Sequence, residues 1–249
     1  MTKVNVIAMA GVGKRFLDRD IKIPKPLIPV NGKPMFLYAA LSLPVSNKFF
    51  FICNKKLLSK SYIRKIIKEN FKKKKIISVN KTTSGQAITC DLASKYIKKN
   101  DVVTFGSCDY KYNFNYKKYK RLLKISDVII FVYKPKKYNL ENPRDYGWIK
   151  IKNINAIRKI TCKHTASRNP KKDYVIVGSF TFKNKKIFKN SLQKMIKEKD
   201  KVNNEYYMDI VAKYAQKLGY KVNYCLVNNY KNFGTPQNIK LQCLNQKKK

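Results

Sequence analysis

The chain has 249 residues, 44% hydrophobic and 12% aromatic, which is enough apolar material for a sizeable core and excludes a disordered polymer. No apolar run is long enough to span a bilayer, and an apolar strand begins within a few residues of Met1, so a soluble, cytoplasmic protein without a signal peptide or membrane span is expected. The net charge of +42 invites a nucleic-acid-binding role, but the arginines are scattered and lysine dominates beside many Asn, Ile and Tyr; polyanion affinity is expected as a by-product, with no specific nucleic-acid partner.

Val4, Val6, Ile7, Ala8 and Met9 read as a strand over 4–9. Ala10, Gly11, Val12 and Gly13 then form a loop whose backbone N–H groups can approach an anion closely, with Lys14, Arg15 and Lys25 to supply positive charge. A dinucleotide fingerprint would need a third glycine at Phe16, and a P-loop would need Ser or Thr at Arg15, so neither motif is present. Helical patterns near 35–42, 60–70, 85–98 and 116–124 alternate with strands at 48–53, 75–79, 102–106 and 128–133. This βαβ rhythm predicts an α/β, Rossmann-like sandwich with a mostly parallel central sheet and helices on both faces. Ligands in such sheets bind at the carboxyl ends of strands, so the glycine loop and Asp109 are expected to face one crevice.

Beyond residue 140 the elements shorten: strands at 147–152, 156–161 and 174–182, helices near 188–198 and 205–218, a strand at 221–227 and a helix after Pro236. No linker composition separates the halves, so a single domain over 1–249 is expected, with 140–249 extending 1–139. The cysteines at 53, 90, 108, 162, 225 and 243 show neither C-x-x-C pairing nor histidine partners at zinc spacing, His164 being the single histidine, and read as reduced thiols. The lysine runs at 72–75 and 247–249 fall between elements and at the terminus, where solvated lysines are tolerated.

Gly11-Val12-Gly13-Lys14-Arg15 followed by Pro24-Lys25-Pro26-Leu27 resembles the signature of the sugar-nucleotidyltransferase family. Further segments continue the resemblance in order: Thr82-Thr83-Ser84-Gly85-Gln86-Ala87, Gly106-Ser107-Cys108-Asp109, Tyr146-Gly147-Trp148, Lys163, Val177-Gly178-Ser179-Phe180, Asn203-Asn204-Glu205-Tyr206-Tyr207 and Phe233-Gly234-Thr235-Pro236. The resemblance implies an enzyme that joins a nucleoside monophosphate from a nucleoside triphosphate to a small phosphorylated acceptor, releases pyrophosphate and serves surface-polysaccharide or glycoconjugate synthesis. Residues 1–139 then form the nucleotide-binding half and 140–249 the acceptor-binding half.

Such a transfer uses an already ionised phosphate oxygen as nucleophile, so positioning and charge neutralisation carry the rate and histidine is not needed. Within the resemblance, Arg15 and Lys25 are the expected catalytic cations, with Lys14 beside Arg15 on the β- and γ-phosphates and Lys25 on either the donor or the acceptor phosphate. Ala10, Gly11, Val12, Gly13, Lys14, Gly85 and Gln86 are expected to bind the nucleotide. Gly147, Lys163 and Glu205 are expected on the acceptor, and Asp109 with Asn232 on Mg²⁺. Two positions depart from the family: Asn232 where many members carry a second metal carboxylate, and Cys162 where a glutamate usually contacts sugar hydroxyls. Glu205 or Asp209 could contribute to the metal from elsewhere. Three other readings stay open: a CTP-dependent cytidylyltransferase for a non-sugar phosphate or phosphonate, a catalytically silent nucleotide-binding relative, and a nucleic-acid-binding protein.

Overall fold

A computed structural model describes residues 1–153 and 156–244. The side chain of Cys243 and the lysine run 247–249 lie outside the described residues.

In chain order the strands are β1 (Lys3–Met9), β2 (Pro29–Val30), β3 (Lys33–Pro34), β4 (Lys48–Asn54), β5 (Lys74–Val79), β6 (Val102–Gly106), β7 (Tyr110–Phe114), β8 (Val128–Tyr133), β9 (Gly147–Asn153), β10 (Ala156–Cys162), β11 (Tyr174–Phe182) and β12 (Val222–Asn232). The helices are α1 (Lys14–Leu17), α2 (Met35–Ser42), α3 (Lys55–Leu58), α4 (Ser61–Asn70), α5 (Gln86–Asp91), α6 (Tyr116–Ile125), α7 (Lys137–Glu141), α8 (Lys185–Lys197), α9 (Met208–Lys217) and α10 (Pro236–Leu244).

Strand residues alternate between two apolar faces. Val4, Val6, Phe50, Ile52, Ile130 and Val132 enter one core, while Ile7, Met9, Phe51, Cys53, Phe131 and Tyr133 enter the other. A sheet buried on both sides requires near-continuous apolar strands, as these sequences supply. Helices α5, α8 and α9 cover the first face through residues such as Ala87, Leu192 and Val211, and α2, α4 and α6 cover the second through Phe36, Ile67 and Leu122. Asparagine side chains fix several starts: Asn115 accepts from the Lys118 N–H at 2.9 Å ahead of α6, and Asn184 from the Ile187 N–H at 3.0 Å ahead of α8.

The central sheet is mixed, which corrects the expectation of a mostly parallel one. Strands β5, β4, β1 and β6 are parallel. Then β11 inserts between β6 and β8, antiparallel to both. β8 and β12 run parallel, while β10 meets β12 and β9 antiparallel, and β9 returns to β11 through Tyr174 opposite Ile149. The pairings from β11 through β8, β12, β10 and β9 therefore close into a circuit, like a small barrel joined to the open parallel sheet. The local rhythm of the first half could not disclose this, because β11 is contributed from about seventy residues beyond β6.

Three expected elements also change. The helix over 85–98 ends at Asp91 and gives way to a 3₁₀ turn at Ser94–Tyr96, where Asp91 accepts bonds from Ser94 Oγ and Lys189 Nζ, both at 2.8 Å. The helix expected from 205 begins at Met208, because Asn203 and Asn204 adopt left-handed conformations (φ 50° and 60°) in a tight turn closed by Val202 and Glu205. The strand expected at 221–227 continues to Asn232, held at its end by β7. Among the described residues no helix is long and apolar enough to cross a membrane.

Candidate active site

β1 ends at Met9, where the chain must leave the sheet sharply. Asn54, at the end of β4, donates from Nδ2 to the Ala10 carbonyl at 3.0 Å, and Gly13 turns the chain into α1 with φ 72° and ψ 37°. A Cβ on Gly13 would stand 2.9 Å from Cβ of Lys25, so the glycine also lets the loop lie against Lys25.

Lys25 begins the 3₁₀ turn Lys25–Leu27 and donates from Nζ to Asp109 Oδ2 at 2.6 Å. The two side chains are 21% and 22% exposed. Ser107 Oγ donates to Asp109 Oδ1 at 2.8 Å. Burial opposes both charges, but the Asp109 carboxylate outweighs it and holds the Lys25 ammonium above the usual lysine range. In the same way burial would raise Asp109, and the Lys25 charge with bonds from Lys25 and Ser107 holds it below the usual carboxylate range.

The end of β12 arrives beside this pair, with the Phe233 N–H donating to the Asp109 carbonyl at 2.8 Å. Asn232 Oδ1 accepts from the Gly234 N–H at 2.7 Å. A Cβ on Gly234 would lie 3.0 Å from Asn232 Oδ1 and 3.2 Å from Asp109 Oδ2, so both oxygens converge on this glycine. Asp109 and Asn232 are thus brought together as expected. No cluster of three or more His, Cys, Asp or Glu side chains suited to a metal occurs among the described residues. One carboxylate plus an amide oxygen nevertheless suits Mg²⁺, which takes one or two carboxylates and completes its shell with water and phosphate oxygens.

Gly85 (φ 126°) places the start of α5 against residue 206: the Tyr206 N–H donates to the Ser84 carbonyl at 2.9 Å, and the Ala87 N–H to the Tyr206 carbonyl at 3.0 Å. A cavity of about 260 Å³ results, lined by Ala10, Gly11, Gly13, Lys25, Gly85, Gln86, Asp109 and Glu205. A neighbouring cavity of about 170 Å³ is lined by Arg15, Gly147, Lys163, Asp209 and Asn232. Gln86 and Asp109 border both.

Glu205 therefore stands on the glycine-loop side, apart from Gly147 and Lys163 with which it was grouped, because the left-handed turn at Asn203 and Asn204 carries it there. Val12 is 59% exposed and lines a third cavity of about 230 Å³. Lys14 lines none of the three, since it opens α1 on its exposed side. Trp148 is fully buried and donates from Nε1 to the Pro143 carbonyl at 2.9 Å, a packing role, whereas its neighbour Tyr146 lines the 170 Å³ cavity.

Sequence reasoning missed Asp145. Its carboxylate accepts from Arg15 Nη2 at 3.2 Å, and its backbone carbonyl accepts from Lys163 Nζ at 2.9 Å, so one residue tethers a cation from each half. The available signal was an acidic residue directly before Tyr146-Gly147 in a chain with 14 carboxylates. Lys163 itself is held in a left-handed conformation (φ 62°), with its N–H on the Tyr146 carbonyl at 3.0 Å. The five described cysteines are buried and unpaired with one another. Burial pushes Cys108 up to about 12 and raises Cys162 as well, the opposite of what a reactive thiolate needs.

The family model described as nucleotidyl transferase matches residues 4–240. The chain belongs to the nucleotidyl transferase family. That membership agrees with the resemblance carried by Gly11-Val12-Gly13-Lys14-Arg15 and Pro24-Lys25-Pro26-Leu27. The bifunctional protein GlmU of Methanococcus aeolicus is 26% identical over 185 residues, covering 72% of this chain and 40% of that relative. The chain thus spans about 40% of the length of the curated relative it matches.

Solved structures share the fold. The nucleoside-diphosphate-sugar pyrophosphorylase of Vibrio cholerae RC9 superimposes with a TM-score of 0.81 at 18% identity, covering 96% of this chain and 99% of that one. The inositol-1-phosphate CTP transferase of T. maritima gives 0.71 at 16% identity, over 97% and 95% of the two chains. The UTP-bound UGPase of Acinetobacter baumannii gives 0.73 at 15% identity, over 99% and 93%.

Proposed function

We propose that this protein is a Mg²⁺-dependent nucleotidyltransferase that transfers a nucleoside monophosphate from a nucleoside triphosphate to a small phosphorylated acceptor and releases pyrophosphate. The acceptor is a sugar 1-phosphate or a chemically similar phosphate, and the product serves surface-polysaccharide or glycoconjugate synthesis. The observation that carries this reading is the junction of two cavities at Asp109 and Gln86, with Lys25 on one side and Arg15 and Lys163 on the other.

In this reading the triphosphate lies along the loop 10–13, where backbone N–H groups and Lys25 face its phosphates, and its base lies toward Gly85 and Gln86. The acceptor phosphate lies near Lys163. One of its ionised oxygens forms a bond to the α-phosphorus, and the bond from that phosphorus to the bridging oxygen breaks, leaving the electron pair on pyrophosphate. No proton needs to be removed, so fixed cations and orientation supply the rate. Asp109 and Asn232 would hold Mg²⁺, which when bound neutralises phosphate charge. Asp109 is shared with the Lys25 ammonium, so a phosphate that draws Lys25 away frees the carboxylate for metal.

Cys162, buried where the family carries a sugar-binding glutamate, favours a second form of the same reaction: CTP as donor and a non-sugar phosphate or phosphonate as acceptor. Incubation with Mg²⁺ and each of CTP, UTP, GTP, ATP and dTTP, against sugar phosphates, phosphocholine and aminoethylphosphonate, distinguishes the forms by which pair releases pyrophosphate. Nucleotide binding without release from any pair would instead support a silent relative.

Arg15 tests the cation role with little structural cost. Its pairing with Asp145 is exposed, 54% and 46%, so Arg15→Ala should change stability by less than about 1 kcal/mol. Removing a cation that meets developing phosphate charge should lower kcat/KM by about 10²-fold. Full activity in a folded Arg15→Ala protein would remove Arg15 from the mechanism.

A further inference from the structure

Asp209 sits in the first turn of α9, yet its side chain turns inward to the 170 Å³ cavity that also holds Gly147, Lys163 and Tyr207. Its Oδ2 packs so closely on Gly147 that a Cβ there would overlap it, with the Asp209 Cγ 2.7 Å from that Cβ position. The buried Cys162 thiol donates a hydrogen bond to the same carboxyl. Two residues that are otherwise unremarkable for packing, a glycine in a strand and a small thiol, therefore accommodate this one carboxyl group.

The other carboxylates on this cavity are already engaged, Asp109 by Lys25 at 2.6 Å and Asp145 by Arg15 at 3.2 Å. Asp209 has no ion pair among the described residues, since Lys163, whose charge acts on it from nearby, gives its Nζ hydrogen bond to the Asp145 carbonyl. Burial pushes Asp209 up to about 6, so keeping it ionised is unfavourable for the protein without a ligand. The helix macrodipole does not account for the placement, because an aspartate facing solvent in the same turn would gain as much without being desolvated. A costly, accommodated and incompletely partnered carboxylate in a cavity is the pattern of a group kept for binding.

We infer that Asp209 is a specificity-determining residue, whose carboxylate accepts a hydrogen bond from a hydroxyl or ammonium group on the body of the phosphorylated acceptor. The inference rests on the nucleotidyltransferase reading and adds to it which end of the acceptor is read, and by which residue. Lys163 and Asp209 then divide the acceptor between them, cation to phosphate and carboxylate to donor group. Because Asp209 lies in the second cavity and not the first, the nucleotide is unaffected.

The test is steady-state pyrophosphate release by wild type and Asp209→Asn, with Asp209→Ser as a second variant should the first fail to fold. Glucose 1-phosphate and 2-aminoethyl phosphate are the probes, one offering hydroxyls and the other an ammonium, each run with the five nucleoside triphosphates. The KM for the acceptor that the wild type uses should rise about 10- to 100-fold, with a smaller change in kcat, since a hydrogen bond to a charged group is lost. The KM for the triphosphate should stay within about twofold. A rise confined to glucose 1-phosphate identifies a hydroxyl, and one confined to 2-aminoethyl phosphate an ammonium. An unchanged acceptor KM in an active, folded variant, or equal rises for acceptor and triphosphate, overturns the role of Asp209 and leaves the nucleotidyltransferase reading standing. Silence of the wild type with both probes overturns the inference at its base, and the wider acceptor panel then decides the parent reading separately.

Discussion

Asp109→Ala is expected to lower pyrophosphate release by about 10³-fold or more, because one side chain serves three needs at the junction of the two cavities. It holds the Lys25 ammonium at 2.6 Å, takes the Ser107 hydroxyl at 2.8 Å, and converges through Oδ2 with Asn232 Oδ1 on Gly234. Truncation leaves the Lys25 charge 21% exposed without its partner, so the lysine should titrate lower than now and the protein should lose about 1–3 kcal/mol. The loop itself should survive, since Phe233 bonds the backbone of residue 109 and not its side chain. Circular dichroism and thermal unfolding establish the fold, and initial rates across a Mg²⁺ titration establish the loss. Activity within tenfold of wild type would show that the metal and the phosphates are held elsewhere.

The pair also carries a stability signature with pH. Asp109 is held below the ordinary carboxylate value of 3.8, so its contribution is present above that value and is lost as pH falls through the lower folded one. Lys25 is held above the ordinary 10.5, so its contribution is present below that value and is lost as pH rises through the higher folded one. Across the neutral range the pair stabilises without change, and the difference in stability between wild type and Asp109→Ala should be flat from about pH 5 to 9.

Gly85→Ala is expected to destabilise by about 3–5 kcal/mol, a drop in Tm on the order of 10 °C for a chain of this size. The added Cβ would overlap the Tyr206 N and stand 2.5 Å from the Tyr206 carbonyl oxygen, both backbone atoms that cannot rotate away. Those atoms make the bonds to Ser84 and Ala87 that hold α5 to the turn carrying Glu205. The backbone at residue 85, with φ 126°, adds strain for any residue with a side chain. Gly219→Ala is the control: it too has positive φ (83°), but its Cβ would have nothing within 4 Å, so only the conformational cost of about 1 kcal/mol should appear. Denaturant midpoints for the two variants give the comparison. Equal losses would mean that the contact with Tyr206 yields, and that the wall of the 260 Å³ cavity is softer than its geometry implies.

Much of the site was legible because local chemistry required it. A strand followed by Gly11 and Gly13 demands a turn wherever it lies, Gly13 turns out to need its positive φ, and Asp109 at the end of an apolar strand can only face the carboxyl edge of the sheet. Strand and helix periods likewise located most elements, since alternation and 3.6-residue repeats are properties of a dozen consecutive residues. Partners were a different matter. Arg15 and Asp145 are 130 residues apart, Lys25 and Asp109 are 84 apart, and no local pattern joins them. Glu205 was misplaced for a related reason: two left-handed asparagines, not a helix start, decide where it points.

By itself the sequence determined the βαβ order of the first half, the glycine turns, the chemistry available at each strand end and the family. Only the tertiary structure decided that β11 would enter antiparallel between β6 and β8, that β8 of the first half would close a circuit with β12, β10, β9 and β11 of the second, and that Asp209 would turn inward against Gly147. The physical reason is range. Backbone dihedrals and side-chain periodicity are settled among neighbours, whereas strand insertion and carboxylate burial depend on free energies shared by segments that meet only when the chain has collapsed.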